Sequence, residues 1–174
     1  GDLPDDQKSV DYVKGALPHL VPLLTSVMCK QEDDQDEDSW NLSMSGGTCL
    51  NIVARCCRDD VVDIVMQCIT SNIQDQDWHK REAAIMAFGS IMEGPTTEKL
   101  GLPVQQALPM LLTTMNTPQE LVIVKDTSAW TVGQICDHHS AAIPAEMLPS
   151  LLQALMAGLD LQPKVASNVC YAIH

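Results

Sequence analysis

The sequence predicts an all-α protein in which about four helical pairs stack side by side as an α–α superhelix. The first indication is a repeated phrase: residues 80–91 align with residues 124–135, and residues 163–172 match the start of the same pattern. The second is the composition, since apolar residues make up 45% of the chain and aromatic residues only 3%. A core of Leu, Val, Ile, Ala and Met suits close helix-on-helix packing better than a β-sandwich.

The spacing of the repeated phrase, about forty residues, is typical of stacked helical pairs of the HEAT or armadillo kind. We therefore interpret the chain as a HEAT-repeat solenoid with repeats at 1–57, 58–93, 94–139 and 140–174, the first containing an acidic loop at 31–39. The last helical pattern is still running at the final residue and no polar capping helix is visible, so we expect a section of a longer superhelix. Such arrays present long surfaces and rarely carry chemistry.

The first pair is predicted to comprise helices at residues 10–30 and 40–57. Apolar residues recur at helical spacing in the first of them. Pro18 and Pro22 lie inside that helix. Because proline lacks the backbone donor and crowds the preceding turn, we expect a kink or a subdivision there.

The second pair is predicted at residues 61–73 and 78–92. Asp59 or Asp60 is expected to cap the first of these helices, and Asp77 the second. The physical reason is that a carboxylate at a helix start accepts hydrogen bonds from the free amides of the first turn.

The second half of the chain repeats this organisation. Gly94 followed by proline ends the fourth helix, and Pro103 is placed in the first turn of the fifth, where proline is tolerated. Small residues of the repeated phrase, including Gly89 and Gly133, are expected to let the second helix of each pair approach its neighbours closely. The remaining helices are predicted at residues 102–116, 118–138, 144–158 and 163–174.

The chain is strongly acidic, with 23 acidic against 10 basic residues and a formal net charge of −13. This weighs against direct binding of nucleic acid, because phosphate contacts need a basic surface, and it favours a basic protein partner or simple solubility. The seven cysteines show no CxxC spacing and no metal-type cluster with histidine, so we expect no metal, no cofactor and a reducing compartment. No signal peptide and no apolar run of membrane-spanning length is visible, so we expect a soluble intracellular protein.

The densest charge lies in one link, residues 31–39, directly before Trp40. Its six carboxylates repel one another and cannot pack, so the segment should be extended and solvated. It is either a linker without a partner or a docking strand for a Lys/Arg-rich partner, for which such charge raises the encounter rate and confers salt sensitivity. Trp40 favours docking, since its ring can stack on arginine or lysine, although it can instead fold against the core at a helix start. The proposed partner-binding residues are Glu32, Asp33, Asp34, Asp36, Glu37, Asp38 and Trp40.

A catalytic interpretation would rest on His138 and His139 near Asp137, as a metal or acid–base site. The two histidines end a predicted helix, where exposed imidazoles commonly complement the helix dipole, and no third ligand follows at a suitable spacing. The chain also lacks a Gly-rich phosphate loop and a nucleophile elbow. We therefore expect no catalytic residue.

Several segments, spread over the whole chain, can be compared with a known family as one ordered set. They are the acidic loop with Trp40-Asn41 after it, and residues 47–50, 78–84, 87–95, 124–133 and 163–168. In this order and spacing they resemble the central part of the importin-β family, and the resemblance covers essentially the whole chain. A single HEAT phrase would be far less specific.

The resemblance implies a nuclear import receptor that works in cytoplasm and nucleus and at the nuclear pore. The partners it implies are the basic N-terminal segment of importin-α or a basic cargo, the GTPase Ran in its GTP form, and phenylalanine-glycine nucleoporins, without direct nucleic-acid contact or membrane insertion. In the family, the acidic loop meets basic surface on Ran, and the tryptophan after it helps to grip the basic segment of the adaptor. Residues 32–38 and Trp40 match those positions.

Three further residues are proposed to line the groove that holds the basic segment: Trp130, Asn168 and Tyr171. The family often has tryptophan where this chain has Tyr171, whose π face is weaker. The alternatives are a core position equivalent to Phe88 for Tyr171, and packing between repeats for Trp130 and Trp78.

A HEAT scaffold of another complex, such as a phosphatase scaffold or a vesicle-coat subunit, is the alternative function. The repeated phrase alone permits it. The acidic loop followed by Trp40 favours import, because a scaffold built on packing between repeats has no need of it.

Overall fold

The computed structural model describes residues 12–31 and 41–174. This part of the chain is all-α, as predicted, and contains no strand. Three short 3-10 segments, Arg58–Val61, Ser140–Ala142 and Ala145–Met147, join or precede helices. The α-helices are α1 (Tyr12–Met28), α2 (Leu42–Cys57), α3 (Val62–Asn72), α4 (Trp78–Ser90), α5 (Thr97–Asn116), α6 (Val122–His139), α7 (Leu148–Gly158) and α8 (Pro163–Ile173).

The helices form two layers. In the inner layer α2, α4, α6 and α8 stack one on the next, and each is paired with the helix before it, α1, α3, α5 or α7, in the outer layer. The predicted arrangement of about four helical pairs is therefore confirmed, while the boundaries of the individual repeats stay a prediction. Among the described helices, none is both long and apolar enough to traverse a lipid bilayer.

The prolines of α1 do not divide it, so of the two expected outcomes, a kink or a subdivision, the subdivision is wrong. α1 is a single helix with Pro18 and Pro22 inside. Both prolines are exposed, so the carbonyl groups left without a helical partner lie on the solvent side and can bind water. The opposite face carries the buried side chains, among them Leu17 and Val21.

Side-chain capping explains where one inner helix, α4, and one outer helix, α5, begin. Asp77 caps α4 as predicted, since its side chain accepts from the backbone N–H of His79 at 3.0 Å. The expected cap for the third helix is wrong: Asp59 instead accepts from the backbone N–H and the hydroxyl of Thr96, at 2.7 and 3.1 Å. Thr96 in turn caps α5, which begins at Thr97, five residues earlier than predicted. Pro103 therefore lies in the second turn of α5 rather than the first.

Two other helices begin later than predicted. α6 begins at Val122 after a turn that follows Pro118, and α7 begins at Leu148 because a 3-10 turn follows Pro144. Pro118 lies in that turn and Pro144 has an extended backbone, so neither proline occupies the first turn of an α-helix.

Glycine sets the separation of the inner helices. A Cβ atom built on Gly89 of α4 would lie 2.4 Å from Cζ3 of Trp130 in α6. One built on Gly133 of α6 would lie 2.7 Å from Cδ1 of Tyr171 in α8. Real Cβ atoms do not approach other atoms this closely, so a large side chain of one inner helix occupies the space that glycine leaves on the preceding one. The predicted close approach at these glycines is confirmed.

We expect Gly89→Ala to destabilise the protein by about 1–3 kcal/mol, because the added methyl must displace the Trp130 ring in a packed layer. Gly101→Ala is the matched control, since Gly101 is also helical but its Cβ would meet nothing closer than 3.9 Å. That control should gain about 0.5–1 kcal/mol from helix propensity. Urea unfolding followed by circular dichroism gives both values, and equal stability of the two variants would contradict this account of the glycine.

Candidate partner-binding groove

A groove of about 1040 Å³ runs along the inner layer. Its walls come from α2, α4, α6 and α8, from Asn41, Glu93 and Leu121 next to these helices, and from Gln31 in the link after α1. The groove therefore crosses all four helical pairs, and its shape depends on how the inner helices stack.

The described lining of the groove combines a largely apolar surface with many polar side chains, among which acidic groups outnumber basic ones. Glu82, Glu93 and Asp126 contribute carboxylates, against Lys164 as the lining cation. Hydroxyl and amide side chains fill much of the remaining wall, while apolar contacts come mainly from two methionines, two tryptophans and the start of α6. These apolar residues are Met44, Met86, Trp78, Trp130, Leu121, Val122 and Ile123. Such a surface suits an extended segment that carries both positive charge and apolar side chains.

The acidic loop begins and ends at this groove. Gln31 and Asn41, the described residues on either side of positions 32–40, both line it. Asn41 also caps α2, accepting from the backbone N–H of Met44 at 2.7 Å, and Gln31 donates to the backbone oxygen of His79 in α4 at 3.1 Å. Both ends of the loop are thus fixed to inner helices. The predicted contacts of Glu32, Asp33, Asp34, Asp36, Glu37, Asp38 and Trp40 lie outside the described residues.

Trp130 both packs between repeats and lines the groove. Its ring covers Gly89, and the side chain remains partly exposed toward the groove. Trp78 likewise lines the groove and is half-buried, with its ring stacked on that of His79 at a centroid distance of 3.8 Å. For Trp130, packing between repeats and groove lining are therefore combined in one residue, whereas Trp78 lines the groove and stacks within its own helix.

Asn168 lies in the groove wall and is held by α6. Its side-chain amide donates to Oδ1 of Asp126 at 2.8 Å, and both residues line the groove. The interaction ties α8 to α6 and fixes the direction in which the amide faces. A part for Asn168 in partner binding stays a prediction.

Tyr171 packs on Gly133 and, unlike Trp130 and Asn168, is not among the residues that line the groove. It is 48% exposed, whereas Phe88 is 3% exposed. A core position equivalent to Phe88 is therefore wrong for Tyr171. Its hydroxyl donates to Oδ2 of Asp137 at 3.0 Å, and this hydrogen bond raises the pKa of Tyr171. The structural equivalent of Tyr171 is Trp130, because each covers the glycine of the preceding inner helix.

Glu82 is a groove residue that the sequence interpretation missed. Its carboxylate is 1% exposed. Oε1 accepts from the hydroxyl of Thr127 at 2.6 Å, and Oε2 accepts from the side-chain amide of Gln31. Burial raises the pKa of Glu82. The available signal was the recurrence of an acid at one place in the repeated phrase, since Glu82 aligns with Asp126.

His139 is buried rather than exposed at a helix end, which corrects the expectation from sequence. Its Nε2 lies 2.8 Å from the backbone oxygen of Met92, and its Nδ1 lies 2.9 Å from the hydroxyl of Thr97. Because a carbonyl can only accept, Nε2 carries the proton and Nδ1 accepts from Thr97. Both ring nitrogens are thus used to join α6 to α5 and to the end of α4. Across the described residues, no cluster of three or more histidine, cysteine or acidic side chains is arranged to hold a metal ion.

Burial lowers the pKa of His139 from its ordinary value of 6.5. The unfolded chain therefore binds a proton at a higher pH than the folded chain does, so stability falls as the pH drops through about 6.5 toward the lower folded pKa. We expect this loss between about pH 7.5 and 5.5 to shrink in His139→Gln and to persist in His138→Gln, whose imidazole is exposed. Thermal unfolding at several pH values measures the slopes, and equal slopes in the two variants would exclude His139 as the source.

The HEAT-like repeat family matches residues 78–135, which run from the start of α4 into α6. Importin subunit beta-1 of Schizosaccharomyces pombe is 42% identical over 162 residues, covering 92% of this chain and 18% of that protein. Importin subunit beta-1 of Saccharomyces cerevisiae is 38% identical over 167 residues, covering 95% of this chain and 19% of that protein. The chain thus spans about a fifth of the length of the curated relatives it matches.

Solved structures show the same fold. Yeast importin-β, Kap95p, superposes with a TM-score of 0.90 at 37% identity, covering 99% of this chain and 20% of that chain. Kap95p bound to RanGDP and Kap95 in complex with Nup1 each superpose with a TM-score of 0.89 at 38% identity, covering 95% of this chain and 19% of those chains. Because sequence and fold agree in one register over nearly its whole length, the chain belongs to the importin-β family.

Proposed function

We propose that this chain serves a nuclear import receptor as a non-catalytic scaffold whose groove and acidic loop bind a basic protein segment. The segment would be the basic N-terminal part of importin-α or a basic cargo. The observation that carries the proposal is the position of the acidic loop, whose flanking residues Gln31 and Asn41 both line the acidic groove of the inner layer.

Charge and shape support a peptide-like ligand. Six carboxylates in the loop and three in the groove wall favour a segment rich in lysine or arginine, and charge at this density accelerates the encounter. The groove spans all four inner helices, which suits an extended or helical segment better than a small molecule. Trp130 offers a ring face to a cationic side chain.

Ran and nucleoporins are further partners under this proposal. The relative Kap95p binds RanGDP, and Kap95 forms a complex with Nup1. Carried over to this chain, these complexes support the proposal that it works at the nuclear pore and on both sides of the nuclear envelope. The acidic loop is then also the element expected to meet basic surface on Ran.

The loop can be tested by charge alone. We expect the triple variant Glu32→Gln, Asp36→Asn, Glu37→Gln to bind a synthetic Arg/Lys-rich peptide about tenfold more weakly at low salt, with a smaller loss on raising the salt, because exposed charges act over about 10 Å. The control Glu98→Gln, Glu146→Gln, Asp160→Asn removes the same charges at exposed positions outside the groove lining. Equal weakening by both variants would mean that only net charge matters, and the loop would lose its assigned part.

Trp40 can be tested separately from the charge. A ring stacked on a cationic side chain contributes about 0.5–2 kcal/mol, so Trp40→Ala should weaken peptide binding by up to about thirtyfold while Trp40→Phe retains part of the affinity. Isothermal titration calorimetry gives the affinities, and circular dichroism checks helicity. If Trp40→Ala lowers helicity and thermal stability without changing the affinity, the ring packs against the core instead.

A further inference from the structure

Gln31 and Glu82 form a recess in the wall of the groove, at the point where the acidic loop begins. Gln31 is 9% exposed and Glu82 1% exposed, and both belong to the groove lining. The side-chain nitrogen of Gln31 donates to the backbone oxygen of His79 at 3.1 Å and to Oε2 of Glu82. The same recess thus holds an amide from the loop's first anchor and a carboxylate from α4.

The orientation of the Gln31 amide is determined by these two acceptors. Turning the amide over would place its oxygen against the His79 carbonyl and the Glu82 carboxylate, so acceptors would face acceptors. With the nitrogen fixed in this way, Oε1 of Gln31 is buried and has no hydrogen-bond partner within the described part of the chain. A buried acceptor without a donor is costly, which indicates that a donor from outside these residues completes it.

Glu82 receives no direct hydrogen bond from a cationic side chain within residues 12–31 and 41–174, and the nearby His79 ring only partly offsets its burial. Its donors are the amide of Gln31 and the hydroxyl of Thr127, and both are neutral. Burial disfavours the charged form of a carboxylate that has only such donors, in keeping with its raised pKa. A cationic donor would supply the missing charge and the missing hydrogen bond together.

We propose that the Gln31–Glu82 recess is the binding site for one arginine side chain of the docked basic segment. This deepens the proposed function and rests on it. The guanidinium is planar and presents several N–H groups in a fixed fork, so it can donate to Oε1 of Gln31 and to a carboxylate oxygen of Glu82 at once. The ammonium of lysine is a compact, strongly hydrated charge and matches two fixed acceptors in a buried recess less well.

The recess also explains how the acidic loop and the groove act on the same ligand. Gln31 is the last described residue before the loop, and Trp78, next in sequence to His79, lines the same groove. An arginine held at Gln31 and Glu82 would leave the neighbouring basic residues of the segment within reach of the loop carboxylates. The loop would then attract the basic segment over a distance, and the adjacent recess would select its arginine.

The test measures the affinity of an arginine-rich peptide for the wild-type chain and for two recess variants by calorimetry at constant salt. Glu82→Gln removes the charge, and Gln31→Met removes the free acceptor, together with the amide donor to His79 and Glu82, with little change in shape. We expect each to raise Kd about tenfold or more, as is usual when one partner of a buried charged hydrogen bond is removed. The controls Glu98→Gln and Gln67→Met make the same changes at exposed positions outside the groove and should stay within about twofold of wild type.

A second arm identifies the ligand group. Replacing arginines of the peptide one at a time by citrulline, which keeps the shape and loses the charge, should reveal one position at which Glu82→Gln no longer matters. If wild type binds the peptide but Glu82→Gln and Gln31→Met bind it equally well, the recess assignment is wrong and the proposed function stands. If wild type does not bind the peptide, both the recess assignment and the proposed function are wrong. A lysine-rich peptide with the same dependence on Glu82 would overturn the preference for arginine.

Discussion

The register between inner helices is the constraint on which the groove depends. At equivalent positions, the side chain of one inner helix lies over the glycine of the preceding one: Met86 over Gly47, Trp130 over Gly89 and Tyr171 over Gly133. A glycine has no Cβ, so the neighbouring helix can approach until a large side chain fills the gap. Three repetitions of this kind of contact hold the inner helices close together and bring large side chains to the edge of the groove.

Hydrogen bonds between inner helices lie near these glycine contacts. They fix the rotation of each helix relative to its neighbour as well as the distance between the two. The hydroxyl of Thr131 donates to the backbone oxygen of Ile85 at 3.1 Å, and the hydroxyl of Thr127 donates to Glu82. Buried donors and acceptors tolerate little sliding, because any shift would leave one of them unpaired. The polar groups that face the groove are therefore carried on helices whose mutual orientation is determined, which is a condition for selecting a partner rather than merely attracting one.

The repeated phrase predicts the all-α fold, the helical pairs and the glycine contacts because these follow from local spacing. The same is true of the Asp77 cap, whose partner lies two residues away. Asp59 and His139 could not be placed in this way, since their partners, Thr96 and Met92, lie 37 and 47 residues away. For the groove, sequence similarity between repeats indicates which positions are equivalent, but only the stacked helices show that Glu82 is buried beside Gln31.

A buried carboxylate contributes little to the stability of a fold, because the free energy of taking its charge out of water exceeds the free energy gained from neutral hydrogen bonds. Glu82 is placed at a junction of three elements: α4, α6 and the residue from which the acidic loop departs. An apolar residue at this junction would pack α4 against α6 without the desolvation cost, so stability alone does not explain the acid. The proposed recognition of an arginine would account for it, since a desolvated carboxylate beside an unsatisfied acceptor discriminates strongly between a cationic donor and any other side chain. Under our proposal, the acidic loop attracts positive charge in general, whereas the recess formed by Gln31 and Glu82 selects a group that can donate to both oxygens.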